Sequence, residues 1–161
     1  MNEIAELLQK DARLTPEDIA SMLNKSVEDV REKIRQMEDD GTIIKYSAVI
    51  NEEKLPKQKD KVVAFIEIQV QPEREKGFDA IAERIYQFPQ VTSLYLMSGR
   101  YDLLVVVEGD NLKDVAFFVS DKLSTLDNVK STATHFLLKK YKENGTMLFK
   151  QNKLERLNVA L

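Results

Sequence analysis

The chain has 161 residues, 43% hydrophobic and 32% charged, which describes a folded soluble protein with room for one ordinary domain or two small ones. A net charge of −3 argues against indiscriminate binding to nucleic acid, and the absence of cysteine excludes disulfides, thiolate metal sites and a cysteine nucleophile. No apolar run approaches the roughly 20 residues of a membrane helix, and the opening MNEIAELLQK is acidic and amphipathic rather than leader-like, so a cytoplasmic protein with no membrane partner is expected.

Residues 2–10 read as a short helix with Ile4, Leu7 and Leu8 on one face. Residues 15–41 read as two helices joined by a very short turn. Thr15 suits an N-cap, Pro16 the first helical position and Asp18 the acid of a capping box. Ile19, Met22 and Leu23 form one apolar face, and Asn24 is a natural stop because Asn tolerates the left-handed conformation. Ser26 offers a second N-cap, with Asp29 three positions on. Val27, Val30, Ile34 and Met37 make the seam of the second helix, which Gly41 ends. Helices this close in sequence cross at a large angle to bury both seams. That is helix-turn-helix geometry, whose second helix can enter a DNA major groove, or an ordinary helical hairpin. Residues 1–50 hold eleven acidic and seven basic side chains, a net of −4, so binding to phosphate should be weak per subunit.

Residues 42–50, TIIKYSAVI, change period to an extended pattern, either a wing of the helical unit or the first part of a connector. Residues 51–61, NEEKLPKQKDK, are charged and nearly devoid of apolar side chains, which marks a linker. Four domain segments follow: a helix-turn-helix domain over 1–50, the linker, a second domain over 62–141 and a C-terminal extension over 142–161.

The second domain opens with a strand over 62–71, in which Ile66, Ile68 and Val70 alternate with polar residues. A helix over 73–88 carries Phe78, Ile81, Ala82 and Ile85 on one side. Strands over 91–98 and 101–108 flank a turn at Gly99-Arg100. A helix over 112–126 uses Leu112, Val115, Ala116, Val119, Leu123 and Leu126, and a last strand runs over 129–141. The order β-α-β-β-α-β predicts an α+β protein whose second domain is ferredoxin-like. Leu103 to Val107 are five consecutive apolar residues, so both sheet faces need cover. The helices supply one layer. A second subunit supplies the other, which predicts an obligate homodimer, with the tail as the other available cover. In that tail Lys150, Lys153 and Arg156 are basic, and Leu154, Leu157 and Leu161 have helical spacing.

In this order and spacing the chain resembles the Lrp/AsnC, or feast/famine, family of prokaryotic transcriptional regulators. The resemblance runs from near residue 2 to about residue 141. It is carried by LLQKDAR (7–13), IASMLNKS (19–26), Val30-x-x-Lys33-Ile34-x-x-Met37-Glu38-x-x-Gly41-Thr42-Ile43 and Tyr46, then by GRYD (99–102) and Val129-x-x-Thr132-x-Thr134. The family usually has Arg, Leu and Gly where Lys33, Met37 and Asn24 stand. The resemblance implies an N-terminal winged helix-turn-helix domain of three helices, a connector strand, and an effector-binding domain that dimerises through its sheet. It further implies association into tetramers of dimers, and amino acids or related small molecules bound between effector domains. The acidic second helix and the length beyond Tyr141 depart from the family.

The outward face of the second helix is Glu28, Asp29, Glu32, Arg35, Gln36 and Asp39, with Lys33 on the border. Arg35 and Lys33 suit phosphate or guanine, Gln36 adenine, and Glu28 or Glu32 cytosine N4; the acids otherwise form a solvated face. Thr15 and Ser26 either cap helices only or sit where helix N-termini bind phosphate. The candidate DNA-contacting set is therefore Thr15, Lys25, Ser26, Glu28, Asp29, Glu32, Lys33, Arg35 and Gln36. The candidate effector set is Gly99, Arg100, Tyr101, Asp102, Thr132 and Thr134. There the Gly turn exposes backbone N–H groups to a carboxylate, Asp102 takes an ammonium group, and the threonines add hydroxyls. The alternative is a plain hairpin turn with Asp102 bonding its own backbone. His135, the lone histidine, reads as structural, and no phosphate-cradling loop, nucleophile elbow or metal spacing is present, so neither a cofactor nor catalysis is expected. The expected function is a sequence-specific DNA-binding regulator modulated by an amino acid or related metabolite. The alternative is a small-molecule-binding oligomeric module whose helix-turn-helix no longer binds DNA.

Overall fold

A computed structural model describes residues 2–51, 54–56, 61–72 and 77–148. The chain divides into two units, Met1–Ile50 and Asn51–Leu161. No helix among the described residues is long and apolar enough to cross a membrane.

The first unit is three helices: α1 (Glu3–Lys10), α2 (Pro16–Leu23) and α3 (Val27–Asp39). Local chemistry fixes both ends of α2. The Thr15 hydroxyl accepts from Asp18 N–H at 3.1 Å, and Asp18 Oδ2 accepts from Thr15 N–H at 3.0 Å. Asn24 stops the helix at φ 50°, ψ 48°, the left-handed region that Asn tolerates. Two residues on, Ser26 Oγ accepts from Asp29 N–H at 3.1 Å and starts α3. Gly41, at φ 76°, ends it in a conformation that a side chain would strain. Ile4, Leu8, Ile19, Ala20, Val30 and Met37 make the core, with Val27 and Ile34 half-buried against it. Met22, read as part of the α2 face, is 60% exposed instead. The buried pair on α2 is Ile19 and Ala20, which turns Met22 away from the core.

The expected strand over 42–50 does not form. A strand needs a neighbour for its N–H and C=O groups, and none of the described residues supplies one. Ile44 stands 90% exposed, and Val49 and Ile50 are exposed with it.

The second unit holds β1 (Val62–Val70), α4 (Asp79–Tyr86), β2 (Val91–Leu96), β3 (Leu103–Gly109), α5 (Leu112–Phe118) and β4 (Val129–Phe136). The four strands form one antiparallel sheet in the order β2-β3-β1-β4, as the ferredoxin-like reading requires. Ala64, Ile66, Ile68 and Val70 of β1 face the helices, beside Leu103, Val105 and Val107 of β3 and under Ile81, Ile85, Val115 and Phe118. Phe88 and Phe118 meet edge to face, 5.4 Å between centroids. The sheet comes close to α5 at Gly109, where an added Cβ would lie 2.9 Å from Val115 Cγ2. The opposite face carries half-buried Val63, Phe65, Leu104 and Val106. No layer of described residues covers it.

Several boundaries differ from expectation. The helix predicted over 112–126 changes pitch at Val119–Leu123, a π-helical turn, and Leu112 is exposed while Phe118 is buried. The third strand begins at Leu103 rather than at residue 101, and the last ends at Phe136 rather than at 141. Lys142–Glu143 (β5) and Thr146–Met147 (β6) form a hairpin turned by Asn144 and Gly145, at φ 44° and 80°. Asn51 Nδ2 donates to Leu148 O at 2.8 Å beside it. Outside the described residues lie 52, 53 and 57–60 of the linker, 73–76 of the predicted second-domain helix, and 149–161 with Lys150, Lys153, Arg156 and the leucine spacing.

Candidate functional site

The outward face of α3 is Glu28, Asp29, Glu32, Lys33, Arg35, Gln36 and Asp39, all exposed, and most of them line a shallow groove along the helix. Pairing separates its cations. Arg31, on the border toward α2, is held by Glu17, and Arg13 by Asp11 at 2.9 Å. Lys25 Nζ donates to Glu3 at 2.9 Å, and Lys33 Nζ donates to Gln36 Oε1 at 2.8 Å. Among the described residues Arg35 makes no ion pair or hydrogen bond, so it is the arginine on this face with its fork of donors uncommitted. Thr15 and Ser26 act as caps, the Thr15 hydroxyl both donating to and accepting from Asp18 and Ser26 Oγ accepting from Asp29 N–H. Glu28 and Asp29 occupy the first turn of α3, where they favour the helix but repel a phosphate.

Four carboxylates of this unit are held below the usual carboxylate range by close partners. The Arg13 side chain, and then its N–H, hold Asp11 down at about 2. The Thr15 hydroxyl and N–H lower Asp18, and Thr42 does the same to Asp40. Glu17 is lowered by backbone hydrogen bonding and then by Arg31. Burial and a 2.8 Å bond to Glu38 raise the Tyr46 phenol.

In the second unit Gly99, Arg100, Tyr101 and Asp102 belong to a loop, 97–102, between β2 and β3. It is latched to β1. Asp102 Oδ2 accepts from Val70 N–H at 2.9 Å, and Asp102 N–H donates to Ile68 O at 3.0 Å. The carboxylate thus caps β1 beside the bulge at Gln69/Val70, rather than bonding its own backbone. Gln69 Nε2 donates to Arg100 O at 2.9 Å, and Arg100 Nη2 lies 3.1 Å from Glu67 Oε2. The other oxygen of Glu67 meets His135 Nε2 at 3.4 Å, so the lone histidine belongs to this side-chain set on the open sheet face. Among the described residues the N–H groups of Gly99, Arg100 and Tyr101 have no acceptor.

Thr132 and Thr134 are not brought to that loop. They stand opposite Ile68 and Ile66 in register, on the helix-covered face. That places them two strands from β3, roughly 10 Å at ordinary strand spacing. The β4 hydroxyl nearest in this network is Ser131, which donates to Gln69 Oε1 at 2.8 Å and so connects to the loop only through Gln69. Sequence reasoning missed Glu67, Gln69 and Ser131 because their partners lie dozens of positions away. It also missed a cleft of about 410 Å³ between α4 and the edge strand β2, lined by Phe78, Ala82, Tyr86, Leu94, Leu96 and Leu103 among others.

Residues 63–147 match the family described as Lrp/AsnC ligand binding domain, and residues 3–44 match winged helix-turn-helix DNA-binding. The first match reaches residue 147, so the hairpin belongs to the family core and departure from it begins later than Tyr141. The chain is 51% identical over 143 residues to the uncharacterized HTH-type transcriptional regulator YugG of Bacillus subtilis, covering 89% of this chain and 86% of that one. It is 32% identical over 139 residues to the HTH-type transcriptional regulator LrpA of Pyrococcus horikoshii, covering 86% and 94%. A Neisseria meningitidis transcriptional regulator solved as an L-Met complex superposes with a TM-score of 0.69 at 22% identity, covering 91% and 96%. Escherichia coli AsnC superposes at 0.65 and 21% identity, covering 87% and 91%.

Proposed function

The chain belongs to the Lrp/AsnC family of transcriptional regulators, joining a helix-turn-helix DNA-binding unit to that family's ligand-binding domain, and on that premise we propose which residues read DNA and ligand. The observation that carries the DNA reading is the uncommitted Arg35 beside Gln36 on the exposed face of α3. Arg35 takes a guanine edge or a phosphate, and Lys33 and Gln36 exchange their mutual bond for contacts to the duplex. Glu28 and Glu32 accept from cytosine N4. Asp29 flanks them, while Thr15, Lys25 and Ser26 hold the helices at the angle that reading needs.

Affinity comes from several heads held together. The apolar strip of Val63, Phe65, Leu104 and Val106 supports a homodimer packed sheet to sheet, with dimers assembling further into a tetramer of dimers, in the cytoplasm. Anisotropy titration of the full chain on duplex from upstream of its own gene, at two salt concentrations, tests this. Specific binding that weakens steeply with salt is expected, and Arg35→Ala should cost about 1–3 kcal/mol of it. Absence of binding at low salt would instead favour a ligand-binding oligomer with a degenerate head, which the −4 charge of residues 1–50 supports.

The ligand reading places an amino acid at loop 97–102. The free N–H groups of Gly99, Arg100 and Tyr101 take its carboxylate, and the second oxygen of Asp102 takes its ammonium group. Thr132 and Thr134 join the site only where another subunit brings its own copy of them. The L-Met bound to the Neisseria relative makes L-methionine the first probe, read as a rise in melting temperature.

A further inference from the structure

We propose that the cleft between α4 and β2 holds the side chain of the bound amino acid, so that this chain senses amino acids with uncharged apolar side chains. The proposal rests on the ligand reading of loop 97–102. Leu96 and Leu103 are the two residues that flank this loop, and both line the cleft. A molecule whose head group sits on the loop therefore has the cleft's end beside it.

The cleft exists because the edge strand outruns the helix that covers it. Leu94 and Leu96 are opposite Val105 and Leu103 in register. Leu94 packs against the core, while Leu96, two residues on, is 60% exposed. The gap, about 410 Å³, falls in the roughly 300–1,000 Å³ range of small-molecule sites. Phe78, Ala82, Tyr86 and Leu103 join Leu94 and Leu96 in lining it, so a side chain entering it exchanges water for apolar surface.

Its polar groups set the limits on the ligand. The Thr92 hydroxyl is spent on Val106 O at 3.2 Å, and Ser93 offers one hydroxyl. Asp79, at the first position of α4, is exposed and makes no ion pair or hydrogen bond among the described residues. A hydrated carboxylate at the rim repels an acidic side chain.

Calorimetric titration and melting of the full chain with L-leucine, L-serine and L-glutamate test the proposal. L-Leucine should bind and raise Tm, L-serine should bind at least ~10-fold more weakly, and L-glutamate should not bind. Ala82→Phe fills the gap and should weaken L-leucine at least ~10-fold with its own Tm little changed. Leu96→Gln, at an exposed position, should weaken it in the same direction. Equal binding of leucine and serine, or unchanged leucine binding in both variants, overturns the proposal and leaves the loop reading standing. Should Ala82→Phe alter sedimentation while leucine binds as before, the cleft packs subunits and the proposal also falls. If none of the three amino acids binds, the loop reading fails with it.

Discussion

The helix-turn-helix and the loop 97–102 are fastened by opposite means. In the first, each cap closes within three residues: Thr15 with Asp18, and Ser26 with Asp29. In the second, the fastenings run to β1, with Gln69 to Arg100 spanning 31 positions and Val70 to Asp102 spanning 32. The difference teaches what each stretch depends on. The DNA-reading face depends on its own sequence, while the ligand loop depends on the sheet being in register. A defect in the sheet core should therefore silence the loop and spare the head.

Ile66→Ala is the strongest way to break that contrast. Ile66 is fully buried, and the truncation should cost about 2–5 kcal/mol and abolish ligand-induced stabilisation. The amide NMR signals of α1–α3 should persist, and their joint loss would show that the two units do not fold independently. Next comes Asp102→Ala, which leaves the Val70 N–H without its acceptor. It should cost about 1–3 kcal/mol, whereas Asp102→Asn keeps an acceptor oxygen, costs less and loses only the ligand's ammonium partner. Equal melting of the two variants would dismiss the latch. Thr15→Ala should cost about 1 kcal/mol, confined to the head, as measured by hydrogen exchange in α2.

The smallest effect is with pH. Asp11, Glu17, Asp18 and Asp40 have folded pKa values below the ordinary carboxylate range. They add stability above that range and lose it as pH falls, Asp11 only near pH 2. Amide signals of Arg13 and Asp18 should therefore shift on acidification below about pH 4. Signals that stayed fixed would remove the ionic part of these caps.

The same contrast decides what the sequence discloses. Thr15, Pro16, Asn24, Ser26 and Gly41 announce the helix ends because each acts on its nearest neighbours, and every one of those positions does what its residue type suggests. The alternation in β1 likewise placed Ile66 and Ile68 inside. Asp102 was visible as special but not as a cap on β1, because nothing near residue 102 names Val70. The placement of Thr132 and Thr134 was hidden for the same reason. Sequence locates them on β4, but only register puts them on the helix side and Ser131 on the other. The π-helical turn at Val119–Leu123 escaped as well, since a one-residue change of pitch still leaves Val119, Leu123 and Leu126 apolar.

The unpaired stretch 43–50 has a consequence for biosynthesis. A ribosome releases the three helices and IIKYSAVI before β1 exists. For that interval the nascent chain trails an uncharged, β-prone segment broken only by Lys45, the composition that nucleates aggregation. The residues that emerge next are NEEKLPKQKDK, seven charges and a proline in eleven positions. Placed there, they act as gatekeepers that keep neighbouring nascent chains apart until the sheet has formed.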